Sequence, residues 1–234
     1  LVLEFARVVL ELKPLAFVME NVPGITKGNS PHLREAIRRL NTTFHVGDPA
    51  LLKANHFGVP QGRERVFVIG IRRDLGVKPP PPSRTHADAG EDSLFGSSTP
   101  TVWDAIGDLP NPDAFPELVD GDRIPYNQAP HSEFARAMRD DPRSDGFGFP
   151  KVVWNSDICT NVRRTQHGPA LLHRFASLGF EERDRISGIT RLHPDKVSTT
   201  IRAGTTAERG SWSAPRPLHP YQNRVLSTRE CARL

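Results

Sequence analysis

Four consecutive prolines at positions 79–82 constrain this chain more than any other feature. Proline fixes φ and lacks a backbone N–H, so neither a helix interior nor a central strand can pass through the run. With its neighbours it reads as a stiff extended linker, KPPPPSRTH, over residues 78–86. Regular structure must be built on either side of it.

Upstream, helices and strands alternate. Val2, Phe5, Val8, Val9 and Leu12 recur at helical spacing and predict a helix over residues 2–13 with one buried face, stopped by Pro14. The apolar run AFVMEN reads as a buried parallel strand, ended by Pro23 and Gly24. A second helix runs from about Pro31 to Leu40, with Leu33, Ile37 and Leu40 inward and proline in its first turn. FHVGDPALLKA, interrupted at 47–49, and RVFVIGIRR then predict two strands that form an antiparallel edge of an α/β sheet.

Downstream the chain is polar and rich in Pro, Gly, Asp and Ser. Only VWDAIGDL, HSEFARAMR and PALLHRFASLGF carry a helical pattern, so this stretch is a loop-rich second domain or a partly disordered insert. STRECARL is helical again, with Ser227 or Thr228 as its N-cap. There is no internal repeat. The division expected is 1–74, 75–215 and 216–234.

Bulk properties exclude several classes. No stretch approaches the ~18 consecutive apolar residues of a membrane span. The N-terminal segment reads as an amphipathic helix and not a signal peptide, and the missing initiator Met implies that Leu1 is not a natural start. Cys159 and Cys231 make neither a disulfide framework nor a four-ligand zinc site, which points to a reducing compartment, the cytoplasm. His86, His131, His167 and His173 show no metal-like pairing. A net charge of +4 with a pI of about 9.4 permits nucleic acid as a partner and proves nothing.

Three segments hold chemistry-bearing residues. Glu20 and Asn21 close the first predicted strand, where α/β sheets bind ligands; a structural hydrogen bond for Glu20 is an equal alternative. Gln61, Arg63 and Arg65 in QGRER precede the strand VFVIGIRR. Two alternating guanidiniums suit phosphate or carboxylate, or else merely decorate an edge strand. The third segment, RVLSTRECARL, opens a capped helix, for which a structural role is the default.

In this order, FVMENVPGI, NHFGVPQGRERVFVIGIR and, after a long spacer, RVLSTRECARL resemble the motif set of the DNA cytosine-5 methyltransferases. The Glu-Asn-Val triplet and the Gln-x-Arg-x-Arg segment at this separation are specific. The resemblance covers residues 1–73 and about 190–234 well and the middle loosely. It implies part of a Rossmann-like S-adenosylmethionine-dependent methyltransferase sheet plus a smaller, loop-rich target recognition domain. It also implies methyl transfer to C5 of a cytosine flipped out of duplex DNA, in a bacterial restriction–modification setting with a cognate restriction enzyme.

By the same resemblance Glu20 supplies a proton at N3 of the base, helped by burial that raises its pKa. Arg65 contacts O2 and orients the acid, Arg63 faces a phosphate or the active-site loop, and Asn21 and Gln61 organise them. In VSTTIRAGTT, Thr200 and Ile201 match the end of the recognition segment, Thr200 as a candidate phosphate contact beside an equal reading as a strand residue. Arg163 and Arg164 are candidate DNA contacts, with solvated charge the default. The family's nucleophile lies in a Pro-Cys segment, and no Pro-Cys occurs here. That segment and the Gly-rich cofactor loop are expected before Leu1, and a closing Gly-Asn segment after Leu234. No S-adenosylmethionine-binding residue is therefore expected in this chain. Alone it should be inactive and should expose apolar faces, and it should require an N-terminal half. A split or non-catalytic DNA-binding half is the alternative. An RNA cytosine-5 methyltransferase is a third reading, against which the long spacer argues.

Overall fold

The structure, a computed structural model, describes residues 1–88, 97–140, 155–202 and 216–234. Helix α1 (Val2–Leu12) ends where Lys13 takes a left-handed conformation and donates its N–H to Val9, just before Pro14. Its buried stripe is Ala6 and Val9, flanked by Val2 and Phe5. Val8 and Leu12, expected to face inward, are exposed. A face centred on Ala6 allows α1 to lie close against α2 (Pro31–Leu40), whose Ser30 cap, proline first turn and inward Leu33 and Leu40 follow the predicted pattern.

Strand β1 (Ala16–Asn21) sends Phe17 and Met19 into the core below these helices and leaves Val18 exposed. Phe17 meets Phe5 and Phe44 edge-on, with centroids 5.8 and 5.2 Å away. β2 (Phe44–Val46) and β3 (Ala50–Lys53) are the two halves of the interrupted strand. Both pair antiparallel with β4 (Glu64–Arg72). β1 also pairs antiparallel with β4, its one strand partner among the described residues. The expectation of a buried parallel strand at β1 is thus corrected, and β4 lies at the centre of the sheet rather than at its edge. Gly70 on β4 is required there, because a Cβ would run into the Phe17 ring.

The prolines lie along the sheet, beside residues 47–50 and Phe67 and Ile69, across a cleft of about 360 Å³. Beyond them the elements are short: β5 (His86–Ala87) parallel to β6 (Ser97–Ser98), α3 (Val102–Ile106), β7 (Arg123–Pro125), α4 (Glu133–Ala137), β8 (Ile158–Thr160) antiparallel to β7, α5 (Pro169–Ala176) and α6 (Thr228–Arg233). Capping boxes start α3 at Thr101 and α6 at Ser227. Val102, Ile106, Leu118, Ile124, Cys159 and Leu192 form a second core, to which the closing segment adds Leu226 and Leu234. Among the described residues no helix is long and apolar enough to cross a membrane.

Candidate active-site pocket

β4 is two-faced. Val66 and Val68 are buried on one face, Val68 in the core below the helices, so Arg63, Arg65 and Phe67 project from the opposite face. The antiparallel register sets Phe67 opposite Glu20 and Arg65 opposite Leu52. These side chains, with Lys53, Ala54 and Phe57, line a pocket of about 360 Å³ that combines apolar Leu52, Phe57 and Phe67 with charged Glu20, Lys53, Arg63 and Arg65. Arg65 Nε lies 2.8 Å from Glu20 Oε1, and Arg65 Nη1 donates to the Glu64 carbonyl at 2.7 Å. A guanidinium held at two points fixes the carboxylate in turn. Arg63 lines the same pocket and has no hydrogen-bond or ion-pair partner for its side chain among the described residues, which leaves its fork of donors for an anion.

The next link is Gln61, which is buried. Its Nε2 donates to the Leu234 carbonyl at 2.9 Å, and its Oε1 accepts from Ile201 N at 3.4 Å. Backbone bonds reinforce the seam: Gly62 N to Ser198 O at 2.8 Å and Ser198 N to Pro60 O at 2.9 Å, while Thr200 Oγ1 reaches Gly62 O at 3.4 Å. Gln61, Thr200 and Ile201, far apart in sequence, therefore meet directly beside the arginine pair.

A family model for the C-5 cytosine-specific DNA methylases matches residues 1–234. The chain belongs to that family. It is 35% identical to the type II methyltransferase M.XorII of Xanthomonas oryzae pv. oryzae, over 100% of this chain and 53% of that protein. It is 38% identical to the type II methyltransferase M.MthTI of Methanothermobacter thermautotrophicus, over 46% of this chain and 30% of that one. The chain thus spans about half the length of M.XorII. A crystal structure described as that of a DNA modification methyltransferase encoded within an E. coli prophage superposes with a TM-score of 0.71 at 28% identity. The match covers 99% of this chain and 62% of that one. The fold is accordingly the mixed α/β, Rossmann-like fold of the S-adenosylmethionine-dependent methyltransferases.

In this methylase chain the remaining sequence candidates lie elsewhere. Asn21 Oδ1 accepts from Val22 N at 2.9 Å, so its amide serves the loop after β1. Arg163 donates to Val119 O at 3.1 Å and Arg164 to Asp113 at 2.9 Å, and both brace the turn at 113–119 away from the pocket. The residues of VSTTIRAGTT beyond Arg202 lie outside the described residues. The burial expected of Glu20 is not present in this chain, where its side chain is 48% exposed. Burial pushes the Cys159 thiol up and the Cys231 thiol up to about 11, so neither is a thiolate near neutral pH. Among the described residues no group of three or more His, Cys, Asp or Glu side chains is arranged to hold a metal ion.

Sequence reasoning missed the walls, Leu52, Phe57 and Phe67. Phe67 was readable from its alternation with Arg65. Phe57 depends on a turn whose geometry has no periodic signal.

Proposed function

We propose that the protein to which this chain belongs transfers a methyl group from S-adenosylmethionine to C5 of cytosine in a specific duplex DNA sequence, as the modifying partner of a restriction enzyme. The observation that carries this reading is the Glu20–Arg65 pair at 2.8 Å, in one pocket with Arg63, whose side chain has no partner among the described residues, within a chain matched by the family model along its whole length.

Cytosine C5 is a poor nucleophile until a thiolate adds at C6 and the ring accepts a proton at N3. Glu20 is the group to deliver that proton and to accept from the 4-amino group. Arg65 holds the carboxyl in place and reaches O2, and Arg63 takes a phosphate. The lining fits this division, since Leu52, Phe57 and Phe67 suit the faces of a ring and the Glu20–Arg65 pair suits its Watson–Crick edge. Cys159 and Cys231 are unsuited to be the thiolate, and the nucleophile comes from outside this chain. No residue of this chain is assigned to the methyl donor. Residues 1–74 and 216–234 form the catalytic part in this reading, and residues 75–215 act as the target recognition domain, which reads base edges and holds the backbone. Without the segments that bring nucleophile and donor, the chain alone is inactive.

Glu20→Gln in the full-length protein should slow methyl transfer to duplex DNA by about 10²–10⁴-fold. Turnover close to the wild-type rate would remove Glu20 from its role. Transfer to tRNA with none to DNA would move the whole reading to an RNA substrate.

A further inference from the structure

The second wall of the pocket is held from beyond the prolines. Ala54–Phe57 is a single 3-10 turn, too short to define its own position, and it supplies Ala54 and Phe57 to the pocket. On its inner side Ala54 N donates to Arg63 O at 2.8 Å, so the turn and the backbone of Arg63 move together.

On its outer side the turn is gripped by Thr85, Asp88 and Thr99. Asn55, largely buried, donates from Nδ2 to Asp88 Oδ1 at 2.6 Å. The Asn55 carbonyl lies 2.7 Å from Thr99 Oγ1, whose single proton it shares with Ala87 O at 2.6 Å. Thr85 N donates to His56 O at 3.0 Å, and His56 Nε2 lies 3.3 Å from the same Asp88 oxygen. Gly58, which closes the turn at φ +81°, lies beneath the His86 ring; a Cβ there would sit 2.8 Å from its Cε1.

We propose that Asn55, Asp88 and Thr99 are positioning residues for the pocket: they clamp the Ala54–Phe57 turn so that Phe57 and Arg63 keep the geometry needed to hold a target base. This rests on reading the pocket as the target-base site. None of the three touches that base in this view. They act through the turn, and a displacement of about 1 Å at a reacting centre is enough to lower a rate by about 100-fold.

The test is steady-state methyl transfer to duplex DNA by the full-length protein carrying Asp88→Ala, Asp88→Asn or Thr99→Val. Asp88→Ala and Thr99→Val should lower kcat by about tenfold or more, while KM for S-adenosylmethionine stays put, because the donor is bound elsewhere. Asp88→Asn should recover most of the loss, since its amide oxygen still accepts from Asn55 Nδ2. Wild-type kcat in Asp88→Ala and Thr99→Val, with or without a lower melting temperature, would overturn the inference. Asp88→Asn as slow as Asp88→Ala would overturn it equally. If Asp88→Ala does not fold, Thr99→Val carries the test, because it removes one hydroxyl at nearly constant shape. A wild-type protein that moves no methyl group to cytosine defeats the functional reading and this inference with it. Normal wild-type turnover with unaffected variants defeats this inference alone.

Discussion

The regions before and after the prolines are held together by different physics. The first is built from elements of up to eleven residues that need only one apolar face, and its core is Ala6, Val9, Phe17, Met19, Leu33, Ala36, Leu40, Phe44 and Val68. Among the described residues its buried polar side chains are Asn55 and Gln61, and both face the second region. Among the described residues the second region has helices of five, five, eight and six residues, each too short to persist by itself. There the buried set includes Asp108, Asp184, Arg191, Arg224, Glu230, Arg233 and His219. Asp108 lies between Arg139 at 2.6 Å and Arg233 at 3.3 Å, so one carboxylate joins α3, α4 and α6. Arg191 donates to the carbonyls of Phe175, Leu178 and His219 and ties its own segment to two others with no carboxylate partner among the described residues. Where apolar faces are too small to fix an arrangement, directional charge-assisted bonds fix it instead.

The sharpest way to break this comparison is to remove one member of a buried pair. Arg224 grips Glu230 through two bonds of 2.8 and 2.7 Å, and both side chains are buried. Arg224→Ala should destabilise the second region by about 3–5 kcal/mol, because it strands a buried carboxylate. Replacing both partners by apolar residues of similar volume should restore most of that loss. Phe44→Ala in the first region should cost a similar ~3–5 kcal/mol, as a cavity that no second charge deletion repairs. Denaturant unfolding read by hydrogen exchange separates the two cases. Arg224→Ala should lose protection around α5 and α6 while α1 and β4 keep theirs. Simultaneous loss in both regions would show one cooperative unit and end the distinction.

Acid should act unequally too. Burial holds the His219 imidazole down to about 4, and its Nδ1 accepts from Tyr221 N and Gln222 N at 3.1 and 3.2 Å. The folded protein therefore binds that proton less readily than the unfolded chain. The stability contributed by neutral His219 is complete above about pH 6.5 and is lost as pH falls toward 4, by at most about 3 kcal/mol. For Glu230, burial alone would raise the pKa, but the Arg224 hydrogen bonds outweigh it and leave it lowered. Its contribution is present above the ordinary carboxylate value and fails only as pH drops below that, so His219 goes first. Protection in the second region should fall between pH 6.5 and 4 before the first region responds. A pH-independent second region over that window would contradict this account.

How much of this was legible in the sequence follows the same division. Periodicity alone placed α1, α2 and the strand pair with β4, because long elements with one apolar face announce themselves. It missed the antiparallel pairing of β1, since a short apolar run such as Ala16–Met19 reads alike in either direction. It also turned Val8 and Leu12 inward, where the helix packs through the small Ala6 instead. In the second region it found the helices, with a cap only for the last, and nothing of what binds them. Asp108, Arg191 and Arg224 look like any solvated charge until their partners, dozens of residues away, are brought together. The pocket was half readable: Glu20, Arg63 and Arg65 stood out through the family resemblance, but their walls and the clamp on Asn55 did not.

The smallest expected effect lies at the seam itself. Gln61 is the buried amide that reads both regions at once, donating to Leu234 O and accepting from Ile201 N. Gln61→Leu leaves a buried carbonyl and a buried N–H without partners, which should cost about 1–3 kcal/mol. Gln61→Glu separates the two halves of that effect. Its carboxylate still accepts from Ile201 N but faces the Leu234 carbonyl with no proton to offer, so it should be the less stable variant at neutral pH. Its deficit should shrink in mild acid, where the side chain regains a donor. If the seam only glues surfaces, melting temperature alone should change. If it also sets the arginine pair two and four residues on, Gln61→Leu should lower kcat on DNA beyond what the stability loss explains. An unchanged kcat in a folded Gln61→Leu would then confine the difference between the two regions to stability and leave the pocket to be shaped by β4 and the clamp.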